Sequence, residues 1–134
     1  MATTTATTPS VAAIAEELVA LCRAGKNLEA VEKFYSPTIV SVEAAAMPNM
    51  PAELTGIQAI RDKHAWWDEN NEVHSTEVNG PFVGRDQFAV QHTFDTTFKP
   101  TGKRQKLTEM ALYTVKDGKI VHERFFYNPG GGQV

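Results

Sequence analysis

The chain lacks most of the devices by which small proteins crosslink themselves, bind metals or enter membranes. One cysteine, Cys22, stands among 134 residues, so no disulfide can close within the chain. No apolar run approaches the ~18 residues of a membrane span. Basic residues are not in excess: the formal charge is -3, and Lys and Arg are scattered rather than striped, which argues against a nucleic-acid binder. No His or Cys pair falls at ligand spacing within one element, and Gly130 to Gly132 close the chain instead of opening a helix, so neither a metal nor a phosphate-binding cofactor is expected. The start, MATTTATTPS, lacks the basic-then-apolar order of a signal peptide. Residues 1–9 and 129–134 read as loose tails. A cytoplasmic protein is the expectation.

What is present suffices for one domain, residues 10–128, burying roughly two-thirds of its unfolded surface. Apolar residues recur at helical spacing through Val11, Ile14, Ala15, Leu18 and Cys22, with Pro9 before and Gly25 after, predicting a helix from Val11 to Arg23. On that face Cys22 reads as a small buried hydrophobe. Asn27 is placed to cap a helix from Leu28 to Phe34, which Pro37 stops. Thr38 to Glu43 alternates like a strand. Thr55 is placed to cap a third helix through about Asn70, with Ile57, Ile60, His64 and Trp67 on one stripe. Four strands follow: Glu72 to Val83, Gln87 to Phe98, Lys103 to Val115 and Lys119 to Tyr127. Gly80 and Pro81 mark a bend or bulge in the first of these. The order implies an α+β fold with helices on one face of a curved, mostly antiparallel sheet.

Two turns set which side chains point inward. Thr101-Gly102 suits a two-residue hairpin loop, which pairs Phe94 with Glu109, His92 with Ala111 and Val90 with Tyr113. Lys116-Asp117-Gly118 closes the last hairpin in either of two ways. A three-residue loop with Gly118 in a bulge puts Glu123 opposite Ala111 and Phe125 opposite Glu109; a two-residue Asp-Gly turn shifts the register by one and sends Glu123 outward in exchange for Arg124.

The helix-to-strand passage AGKNLEAVEKFYSPTIVSVE, the segment LTGIQAIRDK and the closing TVKDGKIVHERFFY together resemble the SnoaL-like branch of the nuclear transport factor two superfamily, over nearly the whole stretch from Val11 to Asn128. The resemblance implies a cone-shaped α+β barrel with a pocket between the helices and the concave sheet face. It also puts Ala111, Glu123 and Phe125 on that face together, which favours the three-residue loop. Glu43 falls where ketosteroid isomerases keep their general base. Leu18 and Ala111 fall where those enzymes keep their oxyanion-binding tyrosine and acid, so that electrophile is missing. The catalytic set of limonene epoxide hydrolase would fall on Phe94, His92 and Phe125, which leaves both of its carboxylate positions aromatic.

The candidate site follows. Glu43, His92, Glu109 and Glu123 are the candidate acid-base groups. His92 and Glu123 would meet above the small Ala111, from strands ~10 Å apart. Glu109, between apolar neighbours, should have its pKa raised by desolvation and by nearby like charge, and His92 could hold a partner ionised. Leu18, His64, Trp67, Val90, Phe94, Ala111, Tyr113, Phe125 and Tyr127 would form the pocket wall. Alternatively, the buried ionisable residues only satisfy one another, and the aromatics are core. The partner implied is a small, largely apolar molecule, bound with or without catalysis. The loop from Ala44 to Glu53 borders the mouth, where two Met could adapt to varied ligands. On the convex side Met110, Leu112, Ile120 and Phe126 are too apolar to stay bare, and a homodimer through Met110, Leu112 and Phe126 is expected.

Overall fold

The structure is a computed structural model that describes residues 8–47 and 49–128; the two expected tails lie almost wholly outside these. The chain runs α1 (Val11–Arg23), α2 (Asn27–Phe34), β1 (Tyr35–Val42), β2 (Glu53–Thr55), α3 (Ile57–Asn70), β3 (Asn71–Val83), β4 (Gln87–Phe98), β5 (Lys103–Lys116) and β6 (Lys119–Phe126). One mixed sheet has the order β2-β1-β6-β5-β4-β3, parallel only between β1 and β6. Its ends do not pair with each other, so the sheet is curved but not a closed barrel.

Helix α1 begins where the Ser10 hydroxyl accepts from the Ala13 amide at 3.1 Å. It ends in a left-handed turn: Gly25 has φ 73°, the Lys26 amide donates to Leu21 O at 2.8 Å and the Gly25 amide to Cys22 O at 3.0 Å. Ile14, Ala15, Leu18, Val19 and Cys22 are buried, and Arg23 Nη2 donates to Val78 O at 3.0 Å, tying the helix to β3. The expected caps of the other helices are corrected. Asn27 is the first residue of α2, after Lys26, and Thr55 ends β2, leaving Gly56 at the start of α3. Strand β1 starts at Tyr35, and Pro37 is tolerated because it falls in the register gap between Tyr35 and Val40. The Gly80-Pro81 peptide is cis, at a register shift between Asn79 and Phe82.

Both hairpin registers differ from expectation, and neither difference moves Glu109 or Glu123 off the inward face; Ile120, expected on the convex side, instead pairs with Val115 and is buried in the core. Phe98 pairs with Lys103, so the β4–β5 loop has four residues rather than two; His92 faces Glu109, Val90 faces Ala111 and Phe94 faces Leu107. A shift of two keeps the pleat phase. The last hairpin takes the two-residue turn after all, with Asp117 at φ 51° and Gly118 at φ 74°. Glu123 nevertheless stays inward. Ile120 pairs with Val115 and His122 with Thr114, so Val121 bulges, and this extra residue cancels the phase change. Glu123 therefore faces Tyr113, not Ala111.

Candidate functional site

Below α3 the concave sheet face and the helices enclose a cavity of about 890 Å³. Along β5, Leu107, Glu109 and Tyr113 point into it, while Ala111 is fully buried between them. Of the α3 stripe only Ile60 is fully buried; Lys63, His64 and Trp67 roof the hollow and stay half-buried. Leu18 from α1 and Val31 from α2 close one side. Met47 and Met50, bridged to each other by backbone hydrogen bonds, stand at the mouth.

Lys63 is the hub of the polar end. Its ammonium donates to Ser41 Oγ and Glu43 Oε1, each at 2.9 Å, lies 3.7 Å from Glu123 Oε2 and sits 4.9 Å from the Phe125 ring centre. Register explains the convergence: β1 runs parallel to β6 with Ser41 beside Glu123, and Glu43 follows one residue past β1. Glu123 is 1% exposed; Tyr35 Oη donates to its Oε1, and Oε2 has no hydrogen bond. Burial, then the Glu123 charge, holds the Tyr35 phenol well above the usual range, so it remains a donor.

The other end is set by burial. The Glu109 carboxyl is pushed up to about 8, first by desolvation and then by the Glu43 charge, against which Lys63 pulls down and Glu123 adds. At neutral pH it keeps its proton. Directly across, burial lowers His92 to about 4, so its ring is neutral and does not hold a partner ionised as expected. His92 does not meet Glu123 either: Tyr113, stacked on Phe88 with centroids 4.8 Å apart, brings its hydroxyl to 3.2 Å from His92 Nε2. The small Ala111 lies between Tyr113 and Glu109 on β5, so the phenol takes the room expected for the His92–Glu123 contact. His92 Nδ1 has no partner. Burial also lowers His64 and, with the Glu43 charge second, raises Tyr127 to about 12. Desolvation lifts the Cys22 thiol to about 12, in keeping with a small hydrophobe.

The structure thus brings Glu43, His92, Glu109 and Glu123 to one cavity, with Leu18, His64 and Trp67 above and Phe94, Tyr113, Phe125 and Tyr127 below. Two expected wall residues are corrected. Val90 and Ala111 are 0% exposed and belong to the core. They pair with each other, which places them beneath the layer of larger side chains. Sequence reasoning missed Tyr35, Ser41 and Lys63. Lys63 sits three residues after Ile60 and one before His64, so its place beside the stripe was readable but the inward turn of its charge was not. Among the described residues no group of three or more His, Cys, Asp or Glu is placed to hold a metal ion, and no helix is long and apolar enough to cross a membrane.

A family model described as a SnoaL-like domain matches residues 9–127. Among solved structures, a Mesorhizobium loti protein provisionally named a SnoaL-like polyketide cyclase, with carbohydrate phosphatase in brackets, is 45% identical with a TM-score of 0.84, the match covering 89% of this chain and 100% of that one. A Jannaschia sp. CCS1 protein, also provisionally named a SnoaL-like polyketide cyclase, is 16% identical at TM-score 0.68, covering 86% and 85% of the two chains. A protein of ketosteroid isomerase-like fold from Catenulispora acidiphila, solved in complex with trimethylamine, is 19% identical at TM-score 0.69, covering 93% and 90%. The last two share the fold alone. No curated protein matches. The match across helices, sheet and pocket-lining strands, together with the 45% identity, shows that the chain belongs to the SnoaL-like family.

Proposed function

We propose that the protein binds a small, largely apolar molecule with one polar end. The observation that carries this is the cavity of about 890 Å³, where Leu, Met, Phe and Trp side chains share the lining with Glu43, Glu109, Glu123 and His92 on the sheet side and Lys63 on the roof. Apolar walls bind the body by excluding water; the clustered polar groups fix its orientation. Methyl-labelled NMR tests the reading. Adding tetralin should shift the Met47, Met50 and Leu18 methyl signals, and unmoved methyls would reject it.

A second reading, an isomerase, cyclase or related acid-base enzyme, is favoured by the carboxyl of Glu109, which is poised near 8 and faces the cavity. In it Glu43 takes a proton from the carbon beside a ligand carbonyl, and the protonated Glu109 donates to the carbonyl oxygen. Deuterium exchange into 2-tetralone should then be present below about pH 8, fall as pH rises through it, and be lost in Glu109→Gln. Exchange equal to the buffer rate would leave the binding reading alone. We also propose that two copies pair through the convex face. Support comes from Phe126 at 49% and Met110 at 36% exposure, beside Leu112 on β5. A single buried thiol is compatible with the cytoplasm.

A further inference from the structure

The charges of the cavity do not balance. Among the described residues lining it, Glu43, Glu109 and Glu123 stand against one ammonium, Lys63, and Glu29 and Asp68 against Lys26. His64 and His92 contribute no compensating charge at neutral pH, because burial disfavours their cationic forms. Lys63 is already committed, to Glu43 at 2.9 Å and toward Glu123 at 3.7 Å. That leaves Glu109 without a cation of its own, and a proton stands in for one.

Two further observations point to what would replace that proton. Glu123 and His92, 1% and 3% exposed, line the same cavity, and each has a buried polar atom without a hydrogen bond, Oε2 and Nδ1. Near Glu109 the cavity lining is aromatic. His92 lies directly opposite, Phe94 stacks on His92 at 5.9 Å, and Trp67 stands 5.8 Å from Phe94. Aromatic faces attract a desolvated cation.

We propose that the ligand is an organic cation, an amine with an apolar body, whose ammonium is held by the Glu109 carboxylate within the field of Glu43 and Glu123. This rests on the ligand-binding reading above and adds the charge class. Below about pH 8 the exchange balances as one ammonium bound and one proton released from Glu109 to solvent. A neutral ketone would instead accept a hydrogen bond from the protonated acid and release nothing.

Three probes on one bicyclic skeleton separate these cases: 2-aminotetralin, 2-tetralone and tetralin, titrated calorimetrically into the whole protein at pH 7 in buffers of different ionisation heat. The amine should bind about tenfold tighter than tetralin, with the ketone close to tetralin, and its heat should vary with the buffer, reporting proton release. Glu109→Gln, close in shape to the protonated acid, should lose most of the preference for the amine over tetralin. A ketone tighter than the amine, an amine no tighter than tetralin, no proton release in the wild type, or an undiminished preference in Glu109→Gln would each overturn the proposal. Binding of none of the three would instead defeat the cavity reading on which it rests.

Discussion

At the scale of single residues, Glu109 and His92 carry opposite pH linkages across one strand pair. The folded protein holds a proton on Glu109 that the unfolded chain releases, so this group's stability contribution falls as pH rises from 4.5 to about 8. His92 is depressed from 6.5 to about 4, so its contribution is complete above 6.5 and is lost as pH falls toward 4. The two slopes oppose each other between 4.5 and 6.5. Urea unfolding should therefore show a shallow profile there and a decline toward pH 8; Glu109→Gln should remove the decline, worth on the order of a few kcal/mol. Lys63→Met should strand Glu43 and Glu123 and cost roughly 1–3 kcal/mol, below the value for a fully dry pair because Lys63 and Glu43 keep 14% and 18% side-chain exposure. Adding Glu123→Gln should recover part of it. The elevation of Glu109 was legible, since its apolar neighbours along the strand announce desolvation. Lys63 was not, because a lysine beside a helical stripe normally extends its charge into water.

At the scale of elements, turn chemistry located the hairpins but did not count their residues. Pro100, Thr101 and Gly102 mark a loop equally well at two or four residues, and only the cross-strand packing of Phe94 on Leu107 and His92 on Glu109 decides. Periodicity protected the inward face because that error was even. In the last hairpin the turn alone gives the wrong phase, and the bulge at Val121 restores it; a bulge leaves no mark in a run such as KIVHERFF. The short β2 was hidden for a similar reason: three residues carry too little pattern to read. The α1 terminus, by contrast, was plain in the sequence. Gly25→Ala should cost about 1 kcal/mol in thermal unfolding, from the left-handed backbone alone, since an added methyl would meet nothing within 4 Å.

At the scale of the whole molecule, the layer order and family were legible because long amphipathic segments dominate the chain, while the cavity's content was not, because pocket volume depends on what several elements leave unfilled. The convex face gives a prediction of its own. Leu112, half-buried between Ala89 and Arg124, should yield monomer or aggregate when replaced by Arg, and an unchanged dimer by sedimentation would count against pairing through this side. The roof helix has a different consequence. With Ile60 as its single fully buried residue, α3 rests on a hollow where other helices rest on packed side chains. A guest molecule would supply that missing interior, so saturating amounts should slow amide hydrogen exchange across 57–70 more than in α1 and raise the melting temperature in step with occupancy.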